Sequence, residues 1–511
     1  MRKATVFLLL IFVALAGCSV NPVTGKREMV FMSTAQEIEL GEKNYAPMQQ
    51  SQGGEYDIDP ELTAYVQQVG EKVAAQSDVD LPYEFVVLNN SVPNAWALPG
   101  GKIAINRGLL TELESEAELA AVLGHEAVHA AARHSAKQQS MATLMQVGVM
   151  GTMVVASDSD YGNMIAGGAS VLAQVSLAKY GRSAELESDE YGMKYMSAAG
   201  YDPQGAVDLQ ETFVRLSEGR DPDWLSGLFA SHPPSRERVQ ANIETAKSLP
   251  QGGMRGEREY QAAMKKTRDL KPAYDAYDEG RKALADENID EALAKASQAL
   301  DLFPGEANFH ALRGDIRYLQ ENYDWAATNY DRAIERRHDF FYYYLQRGLA
   351  RKKLGQSGGA VSDLEDSLDL LPTAPAYYAL GDIAYDNGDN ATAIENFKIV
   401  AKSGGEIGQA AMARLVELEL PTNPGAYIPS GCSADGYGNL VVSIRNDTTV
   451  AISGVAVVVA YTDASGRQQQ PRFNINGRVA PGQVASVNTG LGPYSEGSNC
   501  PAQVVAAEVA E

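Results

Sequence analysis

The chain has 511 residues, with 43 Lys and Arg against 66 Asp and Glu, a formal balance of −23. A surface that acidic repels phosphate backbones, which excludes nucleic acid as the primary partner. At 45% apolar and 21% charged residues the material is that of a folded protein, and 511 residues exceed the ~100–200 of one domain, so disorder and a single domain are both excluded.

At the N-terminus, Arg2-Lys3, the apolar run Val6–Ala14 and the small residues before Cys18 follow the order of a secretory leader. The stretch is shorter than the ~20 apolar residues that a spanning helix requires. Leu15-Ala16-Gly17-Cys18 resembles the bacterial lipobox, which implies loss of residues 1–17 and lipidation of Cys18. The mature chain would then carry 41 basic and 66 acidic groups, a balance of −25. Ser19, where Asp would mark inner-membrane retention in related sorting systems, points to the periplasmic face of the outer membrane. With Cys18 given to lipid, Cys432 and Cys500 remain as a pair in an oxidising compartment, and a disulfide between them is expected over two free thiols.

Residues 18–59 are polar and read as a tether; residues 60–250 mix helical patterns with short strands such as 83–88 and read as an α+β domain. Residues 251–271, opening with Gly252, Gly253 and Gly256, read as a linker. A repeat follows over 272–420. Gly280, Gly314, Gly348 and Gly381 recur at spacings of 34, 34 and 33, with Ala292, Ala326, Ala360 and Ala393 each 12 residues later. Sixteen residues beyond the glycines stand Ala296, Tyr330, Leu364 and Phe397. This is the tetratricopeptide pattern, an α-helical solenoid whose concave face takes protein segments. Residues 421–511 carry β-rich runs at 440–444 and 455–461, followed by the turn signals 463–466 and 481–482, and predict a small antiparallel β-sandwich.

The chemistry concentrates in the first domain. Ser115-x-x-Glu118 has the form of a capping box opening a helix that runs through His125-Glu126-Ala127-Val128-His129. Two histidines four apart leave one helix face and can close on a single ion, with Glu126 beside it. Two imidazoles need a third ligand to make a zinc site. A second helix, read as capped by Ser183 and ending near Gly200, offers Glu185 as that ligand and Asp189, one turn on, to orient an imidazole. Glu187 lies about 200° around that helix from Glu185 and cannot share the role if Glu185 faces inward.

His125–His129 with Arg133-His134, followed by Glu185-Leu186-Glu187-Ser188-Asp189, resembles the HtpX/CaaX-prenyl-protease-type zinc metalloendopeptidases, a gluzincin family. Ser188 stands where that family usually has Ala. Asn94-Ala95-Trp96-Ala97-Leu98-Pro99-Gly100-Gly101, His232-Pro233-Pro234 and Asn21-Pro22-Val23-Thr24-Gly25 match further segments, so the resemblance spans roughly residues 21–250. It implies a zincin-type fold, one Zn²⁺ held by His125, His129 and Glu185, and Glu126 as general base. It implies an edge strand at Asn94, Ala95 and Trp96 that pairs with an extended polypeptide substrate. It gives His232 one of two roles, a fourth ligand that silences the site or a donor that stabilises the oxyanion. His134 reads as structural, and His310 and His338 as incidental to the solenoid. The apolar segments 141–156 and 164–178 fall short of spanning length and read as core or lid helices.

The expected protein is a lipid-anchored zinc metalloendopeptidase that degrades unfolded or misassembled envelope proteins, its solenoid recruiting substrates or an envelope assembly machine. The alternative is a solenoid scaffold or assembly chaperone for outer-membrane biogenesis whose protease is largely latent.

Overall fold

The computed structural model of the chain describes residues 18–142, 180–219, 232–462, 467–492 and 500–510. The expected leader, nearly all of the two apolar segments and the turn at 463–466 lie outside the described residues. Among the described residues no helix is long and apolar enough to cross a membrane. The chain divides into two compact units between Tyr343 and Tyr344.

The first unit opens with a hairpin, β1 (Cys18–Val20) against β2 (Arg27–Met29), then helices α1 (Thr34–Ser51) and α2 (Pro60–Ala74). A three-stranded sheet follows, β3 (Glu84–Leu88), β4 (Ala95–Leu98) and β5 (Lys102–Asn106), in the order β3-β5-β4. The strand β3 runs parallel to β5, and β4 runs antiparallel to it at the edge. After the short α3 (Arg107–Leu110) come α4 (Glu116–Ala131), α5 (Arg182–Ala198), α6 (Gln204–Gly219) and α7 (Arg236–Ser248). Every residue of α4 is buried, which explains why its apolar residues surround the helix rather than form one stripe, and Glu116, Glu118, His125, Glu126 and His129 are buried with them.

Helices α4 and α5 approach closely where two glycines face each other. A Cβ on Gly192 would stand 2.8 Å from the His125 backbone nitrogen, and one on Gly124 3.0 Å from the Gly192 carbonyl. Backbone cannot yield as a side-chain tip can, so this contact requires glycine, and it brings the acids of α5 against the histidines of α4.

The expected tether and linker are both structured. Within 18–59, Tyr45 donates from its hydroxyl to the Ile103 carbonyl at 3.0 Å, and a Cβ on Gly41 would overlap the Pro99 carbonyl, so α1 lies tight against the sheet. The polar residues that suggested a tether are the outer face of this helix and, at Ser19, Asn21 and Glu37, partners of Arg133 and Glu187. Within 251–271, α8 (Glu257–Ala263) and α9 (Lys265–Asp269) replace a flexible connection. Tyr260 is fully buried, and its hydroxyl donates to the Leu110 carbonyl at 2.7 Å. Tyr260, Met264, Tyr274, Leu300 and Phe309 belong to the same core as Val66, Ile103 and Leu123. The three glycines serve turns and a close approach instead: a Cβ on Gly256, at φ 62°, would meet the Glu116 side chain.

The repeats form as the 34-residue period predicts. Helix pairs are α10 (Lys271–Ala285) with α11 (Ile289–Leu302) and α12 (Ala307–Leu319) with α13 (Tyr323–Arg336). Next come α14 (Phe341–Lys353), α15 (Ser357–Leu370), α16 (Ala374–Asp386), α17 (Asn390–Val400) and α18 (Gly405–Glu419). In three of the four repeats the glycine fits under a large side chain 16 residues on: a Cβ would lie 2.6 Å from the Tyr330 ring at Gly314, 2.9 Å from Leu364 at Gly348 and 2.7 Å from the Phe397 ring at Gly381.

In the second unit, the C-terminal strands make two three-stranded antiparallel sheets. One is β12 (Val484–Asn488), β7 (Leu440–Arg445) and β6 (Ser430–Ala434). The other is β11 (Arg472–Ile475), β8 (Ile452–Val459) and β13 (Ala502–Val509); β9 (Tyr461–Thr462) pairs with β10 (Gln468–Gln469). Leu440, Val442 and Ile444 are buried while alternate residues face outward, the period of a half-buried strand. Cys432 on β6 is disulfide-bonded to Cys500, just before β13, with Cα atoms 5.8 Å apart, and so links the two sheets. Val416 and Leu420 share this core, so the β-sandwich is continuous in packing with the last helix rather than a separate body from 421.

Candidate metal centre

Ser115 accepts the Glu118 backbone N–H at 3.2 Å and caps α4, as its spacing predicts; Glu118 reaches back to the Glu114 N–H. The cap expected from Ser183 is absent. Helix α5 starts at Arg182 after Gly181, with no side-chain cap, and ends at Ala198.

From these helices His125, His129 and Glu185 converge with His232, which lies just ahead of α7. One candidate ligand atom from each lies within 4.8 Å of all the others. The Nε2 atoms of His125 and His129 are 3.0 Å apart. Glu185 places Oε2 3.6 Å from His125 Nε2 and Oε1 3.4 Å from His129 Nε2. His232 Nδ1 stands 3.0 Å from Glu185 Oε1 and 3.4 Å from His125 Nε2.

Around this set runs a buried polar shell. Asp189 Oδ1 is 2.9 Å from His125 Nδ1. Arg238 donates to Asp189 through Nε and Nη2, each at 2.7 Å, and its Nη1 is 2.9 Å from Glu185 Oε2. The Tyr180 ring stacks on His129 with centroids 3.9 Å apart. Glu187 points to the other side of α5, towards His134 and Asn21.

The electrostatics follow from burial against pairing. Burial disfavours a charged His125, but hydrogen bonds to Asp189 and Glu185 override it and push the ring up to about 10. His129, with burial dominant, is held well below the usual histidine range. Burial raises Glu126 against the opposing pull of His232 and His125. Glu185 and Asp189 are driven below the usual carboxylate range: burial opposes this, but His232 with the two helix histidines outweighs it for Glu185, and Arg238 with His125 for Asp189.

The donor set fits a divalent cation of borderline character. Two imidazole nitrogens and a carboxylate are the ligand types zinc takes. The Nδ1 of His125 faces Asp189, which leaves its Nε2 as the lone-pair donor toward the cluster. Glu126 Oε2, buried beside this cluster, has no hydrogen-bond partner among the described residues. A small cavity opens onto the cluster and is lined by Ala95, His125, Glu126, His232 and Arg238 among others. Ala95 and Trp96 lie on the edge strand β4, and Asn94 precedes it. Asn94 Oδ1 and Trp96 Nε1 are buried with no partner among the described residues.

Sequence reasoning missed Arg238, Tyr180 and Gln210, the last of which donates to Asp189 at 3.4 Å. Six positions separate Arg238 from His232, and nothing in that spacing announces an ion pair with α5. His310 is incidental to the site, its Nε2 3.1 Å from the Pro304 carbonyl.

Residues 60–246 match peptidase family M48, and residues 277–339 and 345–415 match the tetratricopeptide repeat. The chain is 32% identical over 226 residues to the beta-barrel assembly-enhancing protease of Yersinia pestis, covering 43% of this chain and 45% of that protein. Against the protein of the same name in Escherichia coli K12 it is 26% identical over 266 residues, 51% of this chain and 53% of that one. With the mitochondrial metalloendopeptidase OMA1 of Schizosaccharomyces pombe it shares 34% identity over 180 residues, 35% of this chain and 51% of that protein. The chain thus spans about half the length of the curated relatives it matches. Residues 60–246 are a peptidase domain of family M48, followed in the same chain by tetratricopeptide repeats.

Proposed function

We propose that the protein is a zinc metalloendopeptidase of the bacterial envelope, lipid-anchored through Cys18 at the outer membrane, that hydrolyses unfolded or misassembled envelope proteins. The observation that carries the reading is the convergence of His125, His129 and Glu185 beside the partnerless Glu126 carboxylate, at a cavity that reaches the sheet edge. His125, His129 and Glu185 would hold one Zn²⁺, which when bound supplies a Lewis acid for the scissile carbonyl and acidifies water. Among the described residues strand β4 pairs with β5 alone, so its outer edge suits an extended peptide held by main-chain hydrogen bonds with little side-chain selectivity. Glu126 takes the proton of the attacking water at its free carboxylate oxygen and passes it to the leaving amide nitrogen. Asp189 holds the His125 tautomer through Nδ1, and Arg238 neutralises Asp189 and Glu185.

The envelope role rests on the lipobox-like Leu15–Cys18 and on similarity to proteases named for β-barrel assembly. The repeats supply a face for the substrate or for an assembly partner.

A second reading, a repeat scaffold with a largely latent protease, is favoured by one observation. His232 stands among the candidate ligand atoms rather than behind them, where it can fill a fourth position. Cleavage of an unfolded model protein separates the readings. Cleavage by the wild type that Glu126→Gln reduces by about 100-fold or more establishes a constitutive peptidase. Bound zinc without cleavage, relieved by His232→Ala, establishes the latent form. No zinc and no cleavage in any variant contradicts both.

A further inference from the structure

The segment between the lipid-acceptor cysteine and α1 grips the metal centre from behind at two points. The first is Asn21, 2% exposed at the start of the β1–β2 turn. Its Oδ1 accepts the backbone N–H groups of Val23 and Thr24 at 3.0 and 3.2 Å, which fixes the side chain and aims Nδ2 at Glu187 Oε1, 3.0 Å away. The same Glu187 oxygen is 3.3 Å from His134 Nε2, and His134 Nδ1 is 2.9 Å from His129 Nδ1.

The second grip explains why His134 can reach His129 at all. Five residues apart on one helix, the two rings would stand about 140° apart. Helix α4 instead ends at Ala131, and Arg133 adopts φ 62°, the left-handed conformation that turns a chain out of a helix. The N-terminal segment holds its side chain there. The Arg133 guanidinium donates to Ser19 Oγ at 2.8 Å, to Glu37 Oε1 from Nε at 2.7 Å, and to the Met32 carbonyl. That turn swings His134 back beneath His129.

The proton order along this chain is determined by chemistry. For His129 to ligate through Nε2, its Nδ1 must carry the proton and donate. His134 Nδ1 then accepts, so His134 Nε2 carries its proton and donates to Glu187, which also accepts from Asn21. We propose that Asn21 and Glu187, acting through His134, are positioning residues that fix the tautomer and orientation of His129 as a metal ligand, so that the N-terminal hairpin is a working part of the metal centre. This rests on the metallopeptidase reading above.

The test uses the full chain in detergent, loaded with zinc and titrated with a competing chelator, with the melting temperature of the zinc-free protein measured alongside. Glu187→Leu is expected to weaken zinc binding by about 10- to 100-fold, the usual cost of removing an outer partner of a ligating histidine. Glu187→Gln should stay close to wild type, because the one oxygen that receives both His134 and Asn21 survives as an amide carbonyl. Asn21→Ala should weaken binding by less than Glu187→Leu. A purely structural role would lower melting without this order of affinities. Wild-type zinc affinity in a folded Glu187→Leu variant, or a loss in Glu187→Gln as large as in Glu187→Leu, overturns the proposal. Should Glu187→Leu not fold, unchanged affinity in Asn21→Ala overturns it. A wild type that binds no zinc overturns the metallopeptidase reading and this inference together, whereas equal binding by every variant overturns this inference alone.

Discussion

The metal centre and the repeats solve opposite problems. Around the zinc candidates, His125, Glu126, His129, Glu185, Asp189, His232 and Arg238 are all at most 8% exposed, and each charge depends on a particular neighbour. In the repeats the recurrent contact is a glycine under a bulky side chain, made in three of the four with different bulky residues. One region is a single polar network in which no member has a substitute. The other is a packing rule applied three times, at Gly314, Gly348 and Gly381. The difference teaches where single substitutions do their damage.

The largest break is expected at Arg238. Replacing it with Leu leaves Asp189 and Glu185 buried without their cation and should cost about 3–5 kcal/mol, read by urea unfolding of the full chain. A loss within about 1 kcal/mol, the range of an exposed ion pair, would mean the network tolerates deletion and the contrast is overstated.

In the repeats, Gly314→Ala forces a Cβ against the Tyr330 ring and should cost about 1–3 kcal/mol as overpacking, with zinc affinity unchanged. A change in zinc affinity would show that the repeats and the metal centre are one energetic system.

A pH-dependent effect sharpens the contrast, because the repeats too hold polar pairs, Asp363 with Arg347 and Asp315 with Tyr330 among them. Next to Gly314, loss of solvent pushes Asp315 up to about 7 despite the Tyr330 hydroxyl that donates to it at 2.8 Å. Its native proton affinity exceeds that of the unfolded chain, whose carboxyl titrates near the ordinary 3.8. Its contribution to stability is therefore greatest at low pH and is lost as pH rises from about 4 to about 7. Asp315→Asn should gain stability relative to wild type across that window and hold a constant advantage above it, measured by melting temperature against pH. A gap that closes as pH rises would reverse the sign of this account.

The same contrast decides what could be read from the sequence. The repeats were legible because a 34-residue period states the glycine pattern four times. The His125–His129 pair and the acids on α5 were legible because helical spacing fixes which residues share a face. Glu187 was set apart from Glu185 on that ground, and it faces His134 and Asn21. Arg238, Tyr180 and the Gly124–Gly192 contact were not legible, since each depends on how distant segments cross. The polar composition of 18–59 misled, because Asn21, Glu37 and Ser19 are polar in order to pair with half-buried partners on α5 and at Arg133. The glycines of 251–271 misled in the same way, serving turns against Glu116 and Tyr201 rather than freedom.

The central claim is that the buried cluster is one zinc site. The most direct measurement is elemental analysis of the purified full chain beside a His129→Ala variant. The account predicts one zinc per wild-type chain and loss of that zinc in the variant. A wild type without zinc, or a variant that keeps a full equivalent, would contradict it.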